Sequence, residues 1–247
     1  TGAGGIDILG FGGDQSNNNG ISLSNGSLIS STGTGSLTLD GTAGAQGNRG
    51  IELSNSTLVA SGSGNITLEG NGPVTGVRIG GSGGASTLSS ATGNVSLRST
   101  SDIELLPGSQ IVSATGFVEI DAAYLAEGNG GSIVMDATSL IDAGTGNVNF
   151  YASTSANIGQ INTDGDVFAE ADSISLLGAI DSGSGQIRIF ADSLDVANTV
   201  QGTGSLSIST RTEFLTIGLG NGATGTLNLT SAEIAQFQNG FNSIRIG

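Results

Sequence analysis

The sequence predicts an all-β fold: a parallel β-helix, or solenoid, with three short strands in each coil and about nine to ten coils. A Gly-led phrase followed by alternating apolar residues recurs ten times, roughly every 20 to 30 residues. Two further short strands precede most of these phrases. Each repeat of a solenoid buries its apolar face only by stacking on its neighbours, so this recurrence indicates that class of fold.

The recurring phrase supplies one strand of each coil. Its ten glycines are Gly5, Gly35, Gly64, Gly93, Gly116, Gly146, Gly165, Gly185, Gly204 and Gly225. The two other strands are visible in 50–69, where 51–53 and 57–60 precede the phrase strand 66–68. Polar, Gly-rich corners separate the three strands, as a triangular coil requires. At roughly 4.8 Å per coil, the rod is about 45 Å long.

Alternating side chains predict which residues form the core. Successive side chains of a strand point to opposite faces, so Ile66 and Leu68 face inward while Thr67 faces solvent. The predicted core contains Ile51, Leu53, Ile66, Leu68, Ile103, Leu105, Ile133, Val148, Ile187, Ile189, Leu206 and Ile208. A β-sandwich is the competing fold. It needs tight hairpin turns between neighbouring strands, and the three-strand phase would then be accidental.

Repeats longer than 20 residues place their extra length at one corner. The predicted loops are 10–19, 41–49, 70–76 and 127–131, and each follows a phrase strand and precedes the first strand of the next coil. They should therefore project from the same edge of the rod.

The whole chain, 1–247, is predicted to be a single β-helix segment of a longer repeat protein, because both ends fall inside a repeat. Residues 230–240 are predicted to form a short helical corner insertion, with Thr230 or Ser231 as its N-cap and Gly240 at its end. The segment 243–247 is predicted to begin another coil as its first strand.

The residue types exclude several kinds of chemistry. The chain has no Cys, no His and no Lys. Disulfides, thiolate chemistry and zinc sites built on Cys or His are therefore excluded. A Ser-His-Asp nucleophile and a Schiff-base lysine are excluded for the same reason.

The net charge of −15 argues against nucleic-acid binding, which needs a basic surface. Residues 101–195 carry fourteen acidic residues and one basic residue, Arg188. A solvated acidic face that keeps a Gly-rich rod soluble is the favoured interpretation. Weak binding of divalent cations between carboxylates of adjacent coils stays open as the alternative.

Catalysis by carboxylates is the enzymatic alternative, because a polysaccharide hydrolase needs acidic residues that converge on a groove. The candidate pairs are Glu119 with Asp121, Asp164 with Asp166, and Glu170 with Asp172. With no Lys or His beside them, and with the loops elsewhere, they are predicted to be ordinary outward-facing acids. The sequence predicts no catalytic and no cofactor-binding residue.

Three features carry a resemblance to a known family: the phrase Gly-Asn-Ile/Val-x-Leu, the strand pair in 101–122 and the Gly/Ser/Asn-rich corners. In these features the chain resembles the filamentous haemagglutinin family, the large exoproteins of two-partner secretion. Residues 227–247 resemble a module of the giant cyanobacterial members. The resemblance covers the whole chain and implies a right-handed β-helix exported across the outer membrane as an adhesin or surface filament. It carries over no functional residue, because the matched positions are core and corner positions.

The expected function is therefore a structural or adhesive segment of a secreted bacterial cell-surface protein, without membrane insertion. Its expected partners are further repeats of the same polypeptide or identical neighbours end to end, and a host-cell, surface or polysaccharide receptor. The alternative is a β-helix that binds or cleaves carbohydrate with its surface carboxylates.

Overall fold

The computed structural model describes residues 4–13, 18–46, 48–124 and 130–247. These residues form 28 strands and one short helix, α1 (Ser231–Ile234), which lies between β27 and β28. In chain order the strands are β1 (Ile6–Phe11), β2 (Ile21–Leu23), β3 (Leu28–Ser31), β4 (Leu37–Thr42), β5 (Arg49–Leu53), β6 (Thr57–Ala60), β7 (Ile66–Asn71), β8 (Thr75–Ile79), β9 (Thr87–Ser90), β10 (Val95–Ser99), β11 (Asp102–Leu105), β12 (Gln110–Ser113), β13 (Val118–Asp121), β14 (Ile133–Met135), β15 (Leu140–Gly144), β16 (Val148–Tyr151), β17 (Ser155–Ile158), β18 (Gln160–Thr163), β19 (Val167–Glu170), β20 (Ser173–Leu176), β21 (Ile180–Asp181), β22 (Ile187–Phe190), β23 (Ser193–Val196), β24 (Val200–Gln201), β25 (Ser205–Ser209), β26 (Ile217–Leu219), β27 (Leu227–Leu229) and β28 (Ser243–Ile246).

The strands assemble into three long parallel sheets. Sheet 1 has the order β1-β4-β7-β10-β13-β16-β19-β22-β25-β28, sheet 2 the order β2-β5-β8-β11-β14-β17-β20-β23, and sheet 3 the order β3-β6-β9-β12-β15-β18-β21-β24. The chain visits sheets 1, 2 and 3 in turn, so one strand of each makes one coil. The predicted parallel β-helix with three strands per coil is confirmed, and the ten strands of sheet 1 match the predicted number of coils. Parallel pairing of neighbouring strands excludes the β-sandwich.

The core is a stack of aliphatic layers in register. Ile66 pairs with Leu37 on one side and with Val95 on the other, and all three are fully buried. The twelve predicted core residues are all buried, with at most 1% of their surface exposed. Because a slip of one residue would turn every apolar side chain outward, this pattern specifies the register strongly.

The glycine of the recurring phrase is required by the close stacking of the coils. A Cβ at Gly64 would lie closer than 3.0 Å to the carbonyl oxygen of Gly35, which is part of the backbone and cannot move aside. The same relation to the preceding coil holds at Gly35, Gly64, Gly93, Gly116, Gly146, Gly165, Gly185 and Gly204. The phrase therefore begins with the one residue that lets two backbones approach this closely.

Hydroxyl groups fill the corners next to these glycines. In the described part of the chain, the polar residues that are buried as a whole are all Ser or Thr. Ser113 is typical: its hydroxyl accepts from the Gly116 N–H (3.0 Å) and donates to the carbonyl oxygen of Gly93 in the preceding coil (2.9 Å). Such a hydroxyl satisfies both backbone groups where the chain turns away from the ladder.

A second ladder runs along the outside of the same corner. The Asn94 N–H donates to the side-chain oxygen of Asn65 (2.9 Å), and the Phe117 N–H donates to that of Asn94 (3.1 Å). Phe117 has no acceptor in its side chain, so the ladder stops there. It resumes where the Asp166 N–H donates to Asn147 (2.9 Å).

In the repeats that start at Gly5, Gly35 and Gly116, the extra residues lie between sheet 1 and sheet 2, as predicted. The predicted loop 70–76 is wrong, because only 72–74 separate β7 from β8, and the longer connection of that repeat is 80–86, between sheets 2 and 3. The predicted loops are too long, however, because β1, β4 and β7 continue through two further residues, pairing Gly10 with Gly41 and Gly41 with Gly70. Glycine permits this extension, since a Cβ at Gly41 would meet the carbonyl oxygen of Gly50. Residues 14–17, 47 and 127–129 of the predicted loops lie outside the described residues.

The last coil corrects two predictions. The segment 243–247 was predicted to be a first strand, but β28 pairs with β25 in sheet 1 and places Ile244 beside Leu206. The phrase at Gly225 leads into β27, which pairs with β26 in a separate two-stranded sheet. The local pattern is the same, but Gly225 packs against Gly218 and not against a phrase glycine of the preceding coil.

The helix lies inside this last coil. Thr230 is its N-cap in a capping box: its hydroxyl accepts from the Glu233 N–H, and the Glu233 carboxylate accepts from the Thr230 N–H. Beyond the helix, the backbone of 236–238 exchanges two hydrogen bonds with Val200 of β24, both 3.0 Å. The chain thereby continues sheet 3 before it returns to sheet 1.

Candidate functional site: the outer face of sheet 1

Two outward columns of sheet 1 concentrate the aromatic and charged residues. Strand register aligns Glu119, Asn149, Phe168 and Arg188 in one column, and Asp121, Tyr151, Glu170 and Phe190 in the next. The columns belong to β13, β16, β19 and β22, four successive coils. Because residues paired in register lie side by side in adjacent coils, these side chains form one continuous surface.

Three rings form the centre of this surface, here named the aromatic platform: Tyr151, Phe168 and Phe190. The ring centroids of Tyr151 and Phe168 are 5.3 Å apart, and those of Phe168 and Phe190 are 5.6 Å apart, both pairs tilted by 39°. The Arg188 guanidinium lies 5.8 Å from the Phe168 centroid. All three aromatic residues are only partly buried, so part of each side chain is open to solvent.

Carboxylates surround the platform and affect its phenol. Partial burial raises the pKa of Tyr151 above its ordinary value, and the nearby charges of Glu119, Asp121 and Glu170 raise it further. The phenol is therefore protonated at neutral pH and can donate a hydrogen bond.

A second cluster lies on the same face around Arg98. Its Nε and Nη2 atoms donate to Oε1 of Glu119 at 3.2 Å and 3.1 Å, and its Nη1 lies 3.7 Å from Glu69. The guanidinium also lies 5.0 Å from the ring centroid of Tyr124. A shallow cavity of about 160 Å³ opens beside this cluster, and its lining includes Asp40, Asn71, Thr100 and Tyr124.

In each predicted carboxylate pair at least one member contacts an arginine, and these members are Glu119, Asp166, Glu170 and Asp172. Asp121 accepts from the Ala123 N–H (3.0 Å). Glu119 is bound by Arg98, as described above. Arg211 contacts both Glu170 (3.3 Å) and Asp172 (2.7 Å), although it follows β25, two coils further on. These contacts hold the carboxylates in ion pairs.

The pair Asp164 and Asp166 lies at the corner before β19. The Gln186 N–H donates to Oδ1 of Asp166 at 2.9 Å, and Oδ2 of Asp166 lies 3.8 Å from Arg188. This places Asp166 in the corner ladder. Within the described ranges, no group of three or more His, Cys, Asp or Glu residues could hold a metal ion.

The aromatic platform was missed in the sequence, where only 4% of residues are aromatic and the three rings belong to three different repeats. A signal was available. Counted from the phrase glycines Gly146, Gly165 and Gly185, each ring occupies an odd, outward-facing position. Outward positions in adjacent coils are neighbours, so aligning the repeats would have brought the rings together.

Comparisons with known proteins found no matching family model, no matching curated protein and no matching solved structure. Among the residues that the structure describes, none forms a helix long and apolar enough to cross a membrane.

Proposed function

We propose that this chain is a structural and adhesive segment of a secreted bacterial cell-surface β-helix protein, and that it is not an enzyme. The observation that carries the proposal is the combination of a continuous three-sided rod with one outer face that concentrates aromatic and charged side chains. A rod holds such a face away from the cell surface. Adhesion through an outer face does not require a deep pocket.

The resemblance of the repeats to filamentous haemagglutinin-like exoproteins supports the same function and a place on the outside of the outer membrane. The net charge of −15 fits an extracellular rod, because like charge keeps it soluble and separate from its neighbours. The chain contains no Cys and no Lys, so it can form no disulfide and use no lysine amine in catalysis.

The first coil supports the proposed partners, namely further repeats of the same polypeptide or an identical neighbour. Ile6 and Ile8 are only partly buried, whereas their register partners Leu37 and Leu39 in the next coil are fully buried. Within the described residues β1 pairs only with β4, so its other edge can accept a strand from an identical neighbour. Sedimentation at rising concentration tests the end-to-end version: we expect larger species, and strictly monomeric behaviour contradicts it.

Cleavage of carbohydrate is the weaker candidate. The carboxylates Glu119, Glu170 and Asp172 are held in ion pairs by arginines, so they are not free to converge on a glycosidic bond as a hydrolase requires. Binding without cleavage fits the same face better.

Adhesion is tested with microspheres that carry the purified chain and control microspheres that carry serum albumin. We expect the chain to increase retention on bacterial lawns and on polysaccharide-coated glass. In the native organism, antibody against the chain should label intact cells, and brief protease treatment should remove the label. Retention equal to albumin, or label only in broken cells, contradicts the proposal.

A further inference from the structure

We propose that the aromatic platform binds a neutral polysaccharide, which lies along the rod across successive coils. The inference rests on the proposed adhesive function and names its ligand class. It is carried by three features of the same surface: the spacing of the rings, the polar groups beside them and the sign of the surrounding charge.

The rings suit a sugar chain better than a single small molecule. Tyr151, Phe168 and Phe190 come from three successive coils, and their centroids are 5.3 Å and 5.6 Å apart. That step is close to the length of one hexose unit in an extended chain. The C–H face of a sugar ring is apolar and weakly positive, so it packs on the negative face of an aromatic ring.

Polar groups that can bind sugar hydroxyls lie beside the rings in the same two columns. The Tyr151 phenol and the Arg188 guanidinium donate, and the carboxylates of Glu119, Glu170 and Asp166 accept. Ion pairs already hold these carboxylates: Arg98 binds Glu119, and Arg188 lies 3.8 Å from Asp166. Side chains that are held before binding lose less entropy when the ligand arrives.

The charge of the surface selects a neutral polymer. The carboxylates around the platform are Glu119, Asp121, Asp166, Glu170 and Asp172, and the arginines that contact them are Arg98, Arg188 and Arg211, so the surface carries a net negative charge. A nucleic acid or a sulfated or uronic polysaccharide would be repelled by this field. A cationic peptide would be attracted by the carboxylates, but its binding would not depend on the rings and would weaken with salt.

Affinity electrophoresis in native gels tests the proposal, because the charge of −15 carries the chain through the gel. Separate gels contain hydroxyethylcellulose, mixed-linkage β-glucan, dextran or amylopectin as neutral probes. Alginate, heparin and polylysine serve as charged probes. We expect at least one neutral probe to retard the chain, the two polyanions to leave it unaffected, and added salt to change little.

Variants connect the binding to the rings. Phe168→Leu keeps an apolar side chain in the sheet but removes the aromatic face, and Tyr151→Ala with Phe190→Ala removes the outer rings. We expect at least a tenfold weaker affinity from each. Phe214→Ala is the matched control, since Phe214 is a fully exposed aromatic residue, 97% accessible, outside the platform. Circular dichroism confirms that each variant is folded.

The outcomes separate this inference from the adhesive function. The inference is overturned if no neutral probe retards the chain, if Phe168→Leu binds like the wild type, or if only polylysine binds. If microspheres still adhere while all neutral probes fail, the adhesive function stands and the ligand class is wrong. If neutral probes bind but microspheres do not adhere, the ligand class stands and the adhesive function fails.

Discussion

Gly116 lies directly over Gly93, and a Cβ at Gly116 would be closer than 3.0 Å to the Gly93 carbonyl oxygen. This contact between two backbones sets the distance between neighbouring coils at that corner. The strands that follow, β10 and β13, then pair from Val95 with Val118 onward. One glycine per coil thus links the sequence repeat to the register of the whole sheet.

Replacing Gly116 with Ala should therefore destabilise the rod. A methyl group without space forces the backbone to shift, at a cost of about 1–3 kcal/mol. Chemical denaturation measures the change in the free energy of unfolding. Gly4→Ala is the control, because a Cβ at Gly4 meets nothing within 4 Å; it should leave stability unchanged or raise it slightly. Equal effects of both substitutions would refute the stacking argument.

The Ser113 hydroxyl gives a second prediction. Ser113→Ala leaves the Gly116 N–H and the Gly93 carbonyl oxygen without their side-chain partner in a buried corner. We expect a loss of about 1–3 kcal/mol in the free energy of unfolding. Ser113→Thr retains the hydroxyl, and Thr163 makes the corresponding bonds in a later coil. Stability should therefore return in large part with Thr, and a failure to recover would argue against the hydroxyl's role.

Ile187→Asp places a charge in the aliphatic stack, where Ile187 is flanked in register by Val167 and Leu206. The local cost should reach several kcal/mol, because the carboxylate has no partner there. Hydrogen exchange should show lost protection near β22 and little change near β4, since coupling in a solenoid runs between neighbours. The outward substitution Arg188→Gln is the control. Uniform loss of protection along the rod would contradict the model of stacked, nearly independent coils.

Asp121 should make stability depend on pH. Burial raises the pKa of its carboxyl above the ordinary value, and the charge of Glu119 raises it further. The hydrogen bond from the Ala123 N–H and the charge of Arg98 lower the pKa but do not cancel this rise. The raised pKa means that Asp121 favours folding while protonated and loses that contribution as the pH rises through the folded-state pKa. Asp121→Asn should therefore raise the melting temperature at about pH 7 and have less effect at about pH 3. Because the group is half exposed, we expect only a few tenths of a kcal/mol.

Asp136 provides the opposite control for this prediction. Hydrogen bonds from the Thr138 hydroxyl and N–H lower the pKa of its carboxyl. Its contribution is present above the unfolded-state pKa and lost as the pH falls through the folded-state pKa. Asp136→Asn should thus lower the melting temperature at neutral pH, and the difference should fade in acid. Melting curves of both variants across pH check the two signs together.

Much of the fold could be predicted from the sequence because the core obeys a simple period. Ile66 and Ile187 alternate with polar neighbours and stand at the same offset from a phrase glycine, so both the buried face and the coil could be inferred. The rule failed at Gly225, where the same local phrase enters a different sheet. Local pattern cannot distinguish these cases, because the deciding contact is made with a residue of another coil.

The candidate site was harder to predict than the core. Phe168 and Phe190 are 22 positions apart in the chain, and only stacking brings their rings to 5.6 Å. The carboxylates Glu119 and Glu170 were identified as outward-facing, but their arginine partners were not. Arg211 reaches Glu170 from two coils away through a non-repeating segment, so no periodic argument could pair them.

The central claim is that the rod binds through one of its three faces, and one coil offers a direct test. Asn149, Asn157 and Asn162 lie on outward positions of sheets 1, 2 and 3. Each is replaced by Cys in turn, and since the chain has no other Cys, a bulky polyethylene glycol maleimide can be attached to one face at a time. Adhesion of microspheres carrying each labelled chain is then measured. We expect the label at Asn149→Cys to abolish adhesion and those at Asn157→Cys and Asn162→Cys to leave it intact. Equal adhesion for all three labels, or loss confined to another face, would contradict the account.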